Sequence, residues 1–248
     1  MSKLVLDQFR QLLSESRQAV VFTGAGISTE SGIPDFRSPG GIWTKYKPIY
    51  FHEYKASEAA RRESWRRKFK IDETVASAKP NAGHRAIATL IEDGLVNQVI
   101  TQNIDGLHQA SGIPDELIIE LHGNTTYATC LDCGSRYELQ SIKKAFLEDQ
   151  TLPVCEDCSG LVKTATISFG QPMPKQKLFA AQQASISCDL FIAIGSSLVV
   201  FPAAALVPLA KDNDARIVIL NRDETEFDRM ADLIIHAEIG NTLSALIN

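Results

Sequence analysis

No run of apolar residues in this chain approaches the ~18 that a bilayer-spanning helix requires, so the sequence offers no membrane span. Positive charge is not in excess: 25 Lys and Arg stand against 30 Asp and Glu, a net charge of −5. That balance counts against general binding to nucleic acid or anionic membranes. Met1 to Arg10 mixes charge with apolar residues and lacks the apolar core of a signal peptide, so a cytoplasmic location is expected. Internal repeats and low-complexity stretches are absent. Cysteine is scarce, at five residues. Cys188, just before an apolar run, is expected to be a buried small hydrophobe.

The other four cysteines form two C-x-x-C pairs, Cys130/Cys133 and Cys155/Cys158, with 21 residues (134–154) between them. Each short knuckle sets two sulfurs on one side of an ion, which suits a tetrahedral Zn²⁺ with no position left open for water or substrate. A disulfide framework suits the chain less, because 248 residues can bury their own core.

An apolar fraction of 44% and a charged fraction of 22% describe an ordinary globular chain. Leu4, Leu6, Phe9, Leu12 and Leu13 recur near helical spacing, and 19–22 reads as a short buried strand. From Ser38 to Lys79 aromatics sit among many charges, with 57–69 helical and Pro39-Gly40-Gly41 a loop. Residues 81–92 follow as an amphipathic helix, then strands at 98–101 and 117–121, then the cysteine segment. Beyond it the pattern alternates: helix 178–187, strand 190–194, helix 203–211 interrupted by Pro208, strand 216–220. Fully apolar strands alternating with helices predict an α/β fold with a parallel sheet buried on both faces.

Gly24-Ala25-Gly26 follows the first strand and precedes Ser28, a candidate helix N-cap. Glycines there let backbone approach a pyrophosphate, and a helix N-terminus offers N–H groups to the anion. The dinucleotide motif is partial: Thr29 occupies the third glycine's place, and the acidic ribose anchor about twenty residues on is absent. Alone, this G-x-G is evenly balanced between a phosphate turn and a structural one. However, Gly32-Ile-Pro-Asp-Phe-Arg37, Thr101-Gln-Asn-Ile-Asp105, Glu120-Leu-His-Gly-Asn124, Gly195-Ser-Ser197 and Asn221 place polar or glycine residues at strand ends or in the loop beyond the phosphate turn. Ligands of open α/β sheets bind at the carboxyl ends of strands.

These blocks, with Leu107-His108, Phe169-Gly170, Gly195-Ser-Ser-Leu198 and the paired C-x-x-C motifs, resemble the sirtuin family of NAD-dependent protein-lysine deacylases, in its prokaryotic form. They run in family order over residues 23 to 221. The resemblance implies a Rossmann-type large domain (1–38, 80–126 and 166–248), a helical insert (39–79) and a small zinc-binding module (127–165) whose metal is structural. It implies NAD as co-substrate and acylated-lysine proteins or peptides as partners, with no direct nucleic acid, no membrane, and a monomer by default.

By that resemblance His122 is the general base, a role its unperturbed pKa of ~6.5 suits, and Asn103 orders the ribose and a water. Gln102 reaches the ribose, Asp105 accepts from the nicotinamide carboxamide, Phe36 shields C1′, and Arg37 approaches the phosphates. Ser196, Ser197 and Asn221 hold phosphate, ribose and adenine, with Ile239 at the adenine; Gly24, Ala25, Gly26, Thr29, Asp35, Ile104 and Gly195 complete the cofactor set. An extended peptide adds as a strand along Ile167, Ser168, Phe169 and Gly170 on one side and Val199 and Val200 on the other. The implied reaction starts with attack of the acyl-lysine oxygen on C1′ and loss of nicotinamide. His122 then deprotonates a ribose hydroxyl, giving free lysine and O-acyl-ADP-ribose.

Each role has a plainer reading. His122 could be a satisfied strand-end histidine, Asp105 a turn cap, and Arg37 a salt-bridge partner of Asp35. His84, His108 and Trp65 are read as structural. The chain departs from the family pattern at Gln171, where Glu is usual, and at Thr164, where Pro is usual. Trp65-Arg-Arg-Lys-Phe69 lacks the Tyr-x-x-Arg of desuccinylases and resembles the mitochondrial branch linked with lipoamidase and ADP-ribosyltransferase activities. Two alternatives stay open: protein ADP-ribosyl transfer from the same NAD site, and a non-catalytic zinc- and NAD-binding module.

Overall fold

The computed structural model describes residues 2–75 and 77–247; Met1, Ala76 and Asn248, which belong to the expected segments 1–38, 39–79 and 166–248, lie outside the described residues. The strands are β1 (Ala19–Thr23), β2 (Gln98–Thr101), β3 (Ile118–Glu120), β4 (Gly123–Cys130), β5 (Arg136–Glu138), β6 (Val162–Thr166), β7 (Leu190–Ile194), β8 (Arg216–Leu220) and β9 (Leu233–Ile235). Six of them form one sheet in the order β3-β2-β1-β7-β8-β9, and every neighbouring pair is parallel. The chain winds outward to β3, returns, and winds the other way from β7 to β9. This is the doubly wound, Rossmann-type α/β order, and its topological switch point lies between β1 and β7.

Side-chain alternation along each strand divides the apolar runs between two faces. Val21, Val99, Ile192 and Val218 pack with the helices Lys3–Glu15, Ala82–Glu92 and Ile239–Ile247. Phe22, Ile100, Phe191 and Ile219 pack with Lys175–Ser187 and Leu206–Lys211. Helix Ala82–Glu92 starts where Asn81 Oδ1 accepts from the amides of Gly83 and His84, the usual N-cap arrangement.

Element ends differ from the sequence expectation for local reasons. The helix expected from 178 starts at Lys175, directly after Pro174. The strand expected over 117–121 covers Ile118–Glu120, because Leu117 closes a 3₁₀ turn over Asp115–Leu117. Pro208 does not interrupt its helix; it lies in the first turn of Leu206–Lys211, where its missing N–H has no intrahelical acceptor to lose.

The remaining strands make a small antiparallel sheet, β5-β4-β6. Helix Glu58–Val75, longer than the expected 57–69, packs Trp65 and Phe69 against Ala128, Ile142, Phe146 and Val162 of this unit. The Trp65 and Phe69 rings stack 5.5 Å apart, and Phe69 meets Phe146 at 5.6 Å. Tyr54, also from the helical stretch, donates its hydroxyl to Val162 O at 2.8 Å. The helical stretch and the small antiparallel sheet therefore share one core.

Candidate active site

The loops leaving β1 and β7 touch at the switch point. Gly24 N–H donates to Ile194 O at 3.0 Å and Gly26 N–H to Gly195 O at 2.8 Å. A Cβ added to Gly24 or Gly26 would lie 2.7 Å from Gly195 O, and one added to Gly195, whose φ is +61°, would lie 2.5 Å from Ile27 N. The three glycines are thus required by the meeting of two loops. The segment after Gly24 is a 3₁₀ helix, Ala25–Ser31, with no side-chain cap. Ser28, expected as an N-cap, is buried inside this tight turn. Its hydroxyl donates to Asp105 Oδ2 at 2.7 Å and accepts from Asn103 Nδ2 at 3.2 Å.

Above these loops opens a cleft of about 1000 Å³. It is lined by Gly24, Ala25, Gly26, Thr29, Asp35, Phe36, Arg37, Gln102, Asn103, Ile104, His122, Gly195, Ser196, Ser197, Asn221 and Ile239, and by Ile167, Ser168, Phe169, Gly170 and Val200. Two expected residues do not line it. Asp105 spends its carboxylate on Ser28 and on Leu107 N–H (2.9 Å), fixing the turn into helix Leu107–Ala110. Val199 is an exposed residue on the loop beyond Leu198.

His122 sits where the two sheets pinch together. The next residue, Gly123, has φ +75°, and a Cβ there would overlap the Ala165 carbonyl oxygen. His122 Nδ1–H donates to Gln102 O at 3.0 Å, which leaves Nε2 as the free lone pair. Burial pushes the imidazole pKa below its ordinary 6.5, opposed by the bond to Gln102. The ring is therefore neutral at pH 7 and able to take a proton. Beside it, Asn103 Nδ2 donates to Gly24 O at 3.0 Å, and Gln102 Nε2 donates across the crevice to Ser196 Oγ at 2.7 Å.

The loop over the cleft is organised by Asp35, which accepts from the amides of Arg37 (2.9 Å) and Ser38 (2.8 Å) and from the Ser38 hydroxyl. Burial alone would raise the Asp35 pKa; the Ser38 hydroxyl, those two amides and the charge of Arg222 bring it below the ordinary value. Asp35 thus meets the backbone of Arg37 rather than its guanidinium. Arg222, following Asn221 on the opposite wall, donates to Ser38 Oγ at 3.3 Å. Phe36, Trp43 and Phe169 form an aromatic wall, with centroids 5.2 and 5.7 Å apart.

Sequence reasoning missed Ser38, Trp43, Met173 and Arg222 as lining residues. Arg222 had a signal, its place directly after a strand-end Asn; Trp43 had one in the aromatic richness of its segment. It also missed Lys163, a buried lysine in β6 whose Nζ donates to Thr164 O (3.2 Å) and Thr166 O (2.5 Å), shaping the strand that leads to the cleft.

The four knuckle cysteines lie apart from the cleft. Their sulfurs all fall within 4.8 Å of one another, with Cys130–Cys158 and Cys133–Cys155 each at 3.5 Å and no disulfide. Tetrahedral Zn²⁺ with ~2.3 Å Zn–S bonds sets sulfurs ~3.8 Å apart, so the donor set fits that ion. Tyr137 Oη–H donates to Cys155 Sγ at 3.1 Å and Asp132 N–H to Cys130 Sγ at 3.4 Å, both favouring thiolates. Cys188 is buried beneath helix Lys175–Ser187, in the core as expected.

The family model described as "Sir2 family" matches residues 24–202. An "NAD-dependent protein deacetylase 1" of Bradyrhizobium diazoefficiens is 55% identical over 242 residues, covering 98% of this chain and 95% of the relative. An "NAD-dependent protein deacylase 2" of Pyrobaculum aerophilum is 41% identical, covering 95% and 92%. Among solved structures, "Sir2-p53 peptide-NAD+" superposes with a TM-score of 0.87 at 36% identity, covering 98% of this chain and 97% of that one.

Proposed function

The chain belongs to the Sir2 family, and from that premise we propose how its cleft carries out NAD-dependent removal of acyl groups from protein lysines. NAD is the co-substrate, and the products are free lysine, nicotinamide and O-acylated ADP-ribose. The observation that carries the reading is His122, a neutral imidazole with Nδ1 fixed by Gln102 O and Nε2 turned to a cleft of about 1000 Å³.

Bound NAD supplies an electrophilic ribose carbon and a good leaving group. The residues of the chain bind, orient and exclude water around it. Asn103, held by Gly24 O and Ser28, presents its amide group at the ribose. Gln102, tied to Ser196, spans from the ribose to the phosphate side. Thr29, Gly26 and Ser197 lie along the phosphates, with Arg37 as the cation; Asn221 and Ile239 flank the adenine. Phe36, backed by Trp43, shields the reacting carbon from water. His122 Nε2 takes the proton from a ribose hydroxyl, the step for which its depressed pKa keeps it unprotonated. Asp105 acts from beneath the cleft floor by holding Ser28 and the turn at Leu107. The acyl-lysine segment lies as an added strand between Ile167–Gly170 and Val199–Val200, so its recognition is chiefly main-chain.

The same reading includes the division into a Rossmann-type domain (1–38, 80–126, 166–248), a helical insert (39–79) and a metal module (127–165) with one structural Zn²⁺. It also includes a monomer that binds neither nucleic acid nor membrane, and a cytoplasmic setting, where thiols stay reduced as a Cys₄ site requires. No helix among the described residues is long and apolar enough to cross a membrane.

The test is turnover with NAD and an acetyl-lysine peptide. The natural chain releases nicotinamide only with the acylated peptide and forms O-acetyl-ADP-ribose. His122→Ala loses turnover by roughly 10²-fold or more while still binding NAD by calorimetry. Unchanged turnover in that variant overturns the assignment of the base. ADP-ribosylated protein as the main product overturns deacylation itself.

A further inference from the structure

Beneath the cleft floor two histidines are sealed from solvent: His84 is 0% and His108 1% exposed, with ring centroids 5.1 Å apart. Each has one ring nitrogen with no hydrogen-bond partner, Nε2 of His84 and Nδ1 of His108. Orphaned buried polar atoms are uncommon and call for a physical reason.

The other nitrogens identify what the orphans are. Asn81 N–H donates to His84 Nδ1 at 3.4 Å, so the hydrogen of the neutral ring is on Nε2. The Thr23 hydroxyl gives its single hydrogen to Thr101 Oγ1 at 2.8 Å, so its 2.9 Å contact with His108 Nε2 is a donation from the ring. That leaves His108 Nδ1 a bare lone pair. The two orphans are complementary: one donor and one acceptor, on adjacent rings, with no hydrogen bond joining them. Burial keeps both rings neutral, holding His84 at about 4, partly offset by Asp105 nearby, and His108 at about 3.

We propose that His84 and His108 form an internal water site, in which one water accepts from His84 Nε2–H and donates to His108 Nδ1, and that the completed chain positions the loop 24–31 at the cleft. With the water in place, hydrogen bonds run without a break from Asn81 through His84, water, His108, Thr23 and Thr101 to the amide of Asn103, which donates to Thr101 Oγ1 at 3.0 Å. Both ends of this chain grip the same loop: Asn81 Nδ2 donates to Ile27 O at 2.6 Å, and Asn103 Nδ2 to Gly24 O. The water joins these two grips from below. His84 and His108 touch no substrate and are positioning residues.

The site itself is tested on the natural chain without turnover. A high-resolution crystal structure is expected to show a solvent peak about 2.7–3.2 Å from both nitrogens, and ¹⁵N spectra to show both rings as neutral Nε2–H tautomers. An empty position, or a His108 carrying its hydrogen on Nδ1, overturns the proposal. The positioning role rests on the deacylase reading and is tested by kinetics. His84→Met, which removes the donor, is expected to raise the KM for NAD about tenfold, as one unsatisfied buried group would, leaving the peptide KM unchanged. His84→Gln, which keeps a donor near Nε2, is expected to stay within about threefold of the natural chain by the same reasoning. Equal losses in both variants, or a peptide KM rising in step, overturn the role. Failure of the deacylase reading is separate, appearing as absent turnover in the natural chain.

Discussion

Three of the five histidines, His84, His108 and His122, are held neutral by burial and serve different ends. For His122 the consequence is kinetic. Its pKa lies below 6.5, so the proton-accepting form persists into mildly acidic solution and is lost only as pH falls through the lowered pKa. The acid limb of kcat/KM is expected to have its midpoint below pH 6.5; a midpoint at or above 6.5 would contradict the burial argument. For His84 and His108 the consequence is stability. Between about pH 6.5 and their folded values of about 4 and about 3, the unfolded chain binds more protons than the folded one. Their contribution is complete above pH 6.5 and declines as pH drops. Replacing His108 with Gln is expected to flatten the fall of Tm between pH 7 and 5, measured by calorimetry; an unchanged slope would show that His108 does not titrate on unfolding. The sequence pointed to His122 through its HGN setting and the family resemblance, and the structure puts it in the wall of the cleft. The sequence could not show which way Asp105 faces, because the Ser28 hydroxyl that turns its carboxylate inward is 77 positions away.

Among elements, the junction of β1 and β7 tolerates little change, because backbone meets backbone there. Gly195→Ala combines a left-handed φ of +61° with a Cβ 2.5 Å from Ile27 N. Gly134 also has a positive φ, +79°, but open space around it, so Gly134→Ala isolates the conformational term of about 1–2 kcal/mol. Gly195→Ala is expected to lower Tm by clearly more than Gly134→Ala and to abolish NAD binding, which Gly134→Ala leaves intact. Equal Tm losses in calorimetry would mean that the loop contact yields without cost. The strands β1, β7 and β8 were legible at this scale because each is a short, continuous apolar run buried on both faces; β4, β5, β6 and β9 were not expected, and β4 to β6 carry no such run. Element ends were less legible. Ser28 followed a strand and a glycine pair, the usual setting of an N-cap, yet close approach to Gly195 tightens the segment into a 3₁₀ turn and buries it. Lys175 carries no periodic signal, so the start of its helix was set by Pro174 and by packing.

Across the whole molecule, the four-cysteine unit shares a core with the helix that carries Trp65, and this unit joins the cleft at His122 and Ile167. Composition and spacing pointed to the aromatic-rich stretch and the cysteine stretch separately; that Trp65 of one packs in a core with Cys130 and Cys155 of the other is a tertiary arrangement no local pattern encodes. No disulfide links the four sulfurs, so a bound ion would be their one covalent-strength tie, beside the sheet and the hydrogen bonds of the knuckles. Without an ion, four thiolates or thiols within 4.8 Å repel or crowd one another, and any shift of the buried Cys130 and Cys155 would loosen the core they share with Trp65. β4 and β6 carry this disturbance directly, because β4 starts one residue after His122 and β6 ends at Thr166, just before the 167–170 segment that lines the cleft. Chelation in a Trp43→Phe background, where Trp65 is the sole tryptophan, is therefore expected to shift its emission to the red and to raise the peptide KM. Restored Zn²⁺ is expected to reverse both changes. Metal loss verified by analysis with unchanged Trp65 emission would show that the shared core stands without the ion, and that the module braces the cleft by packing alone.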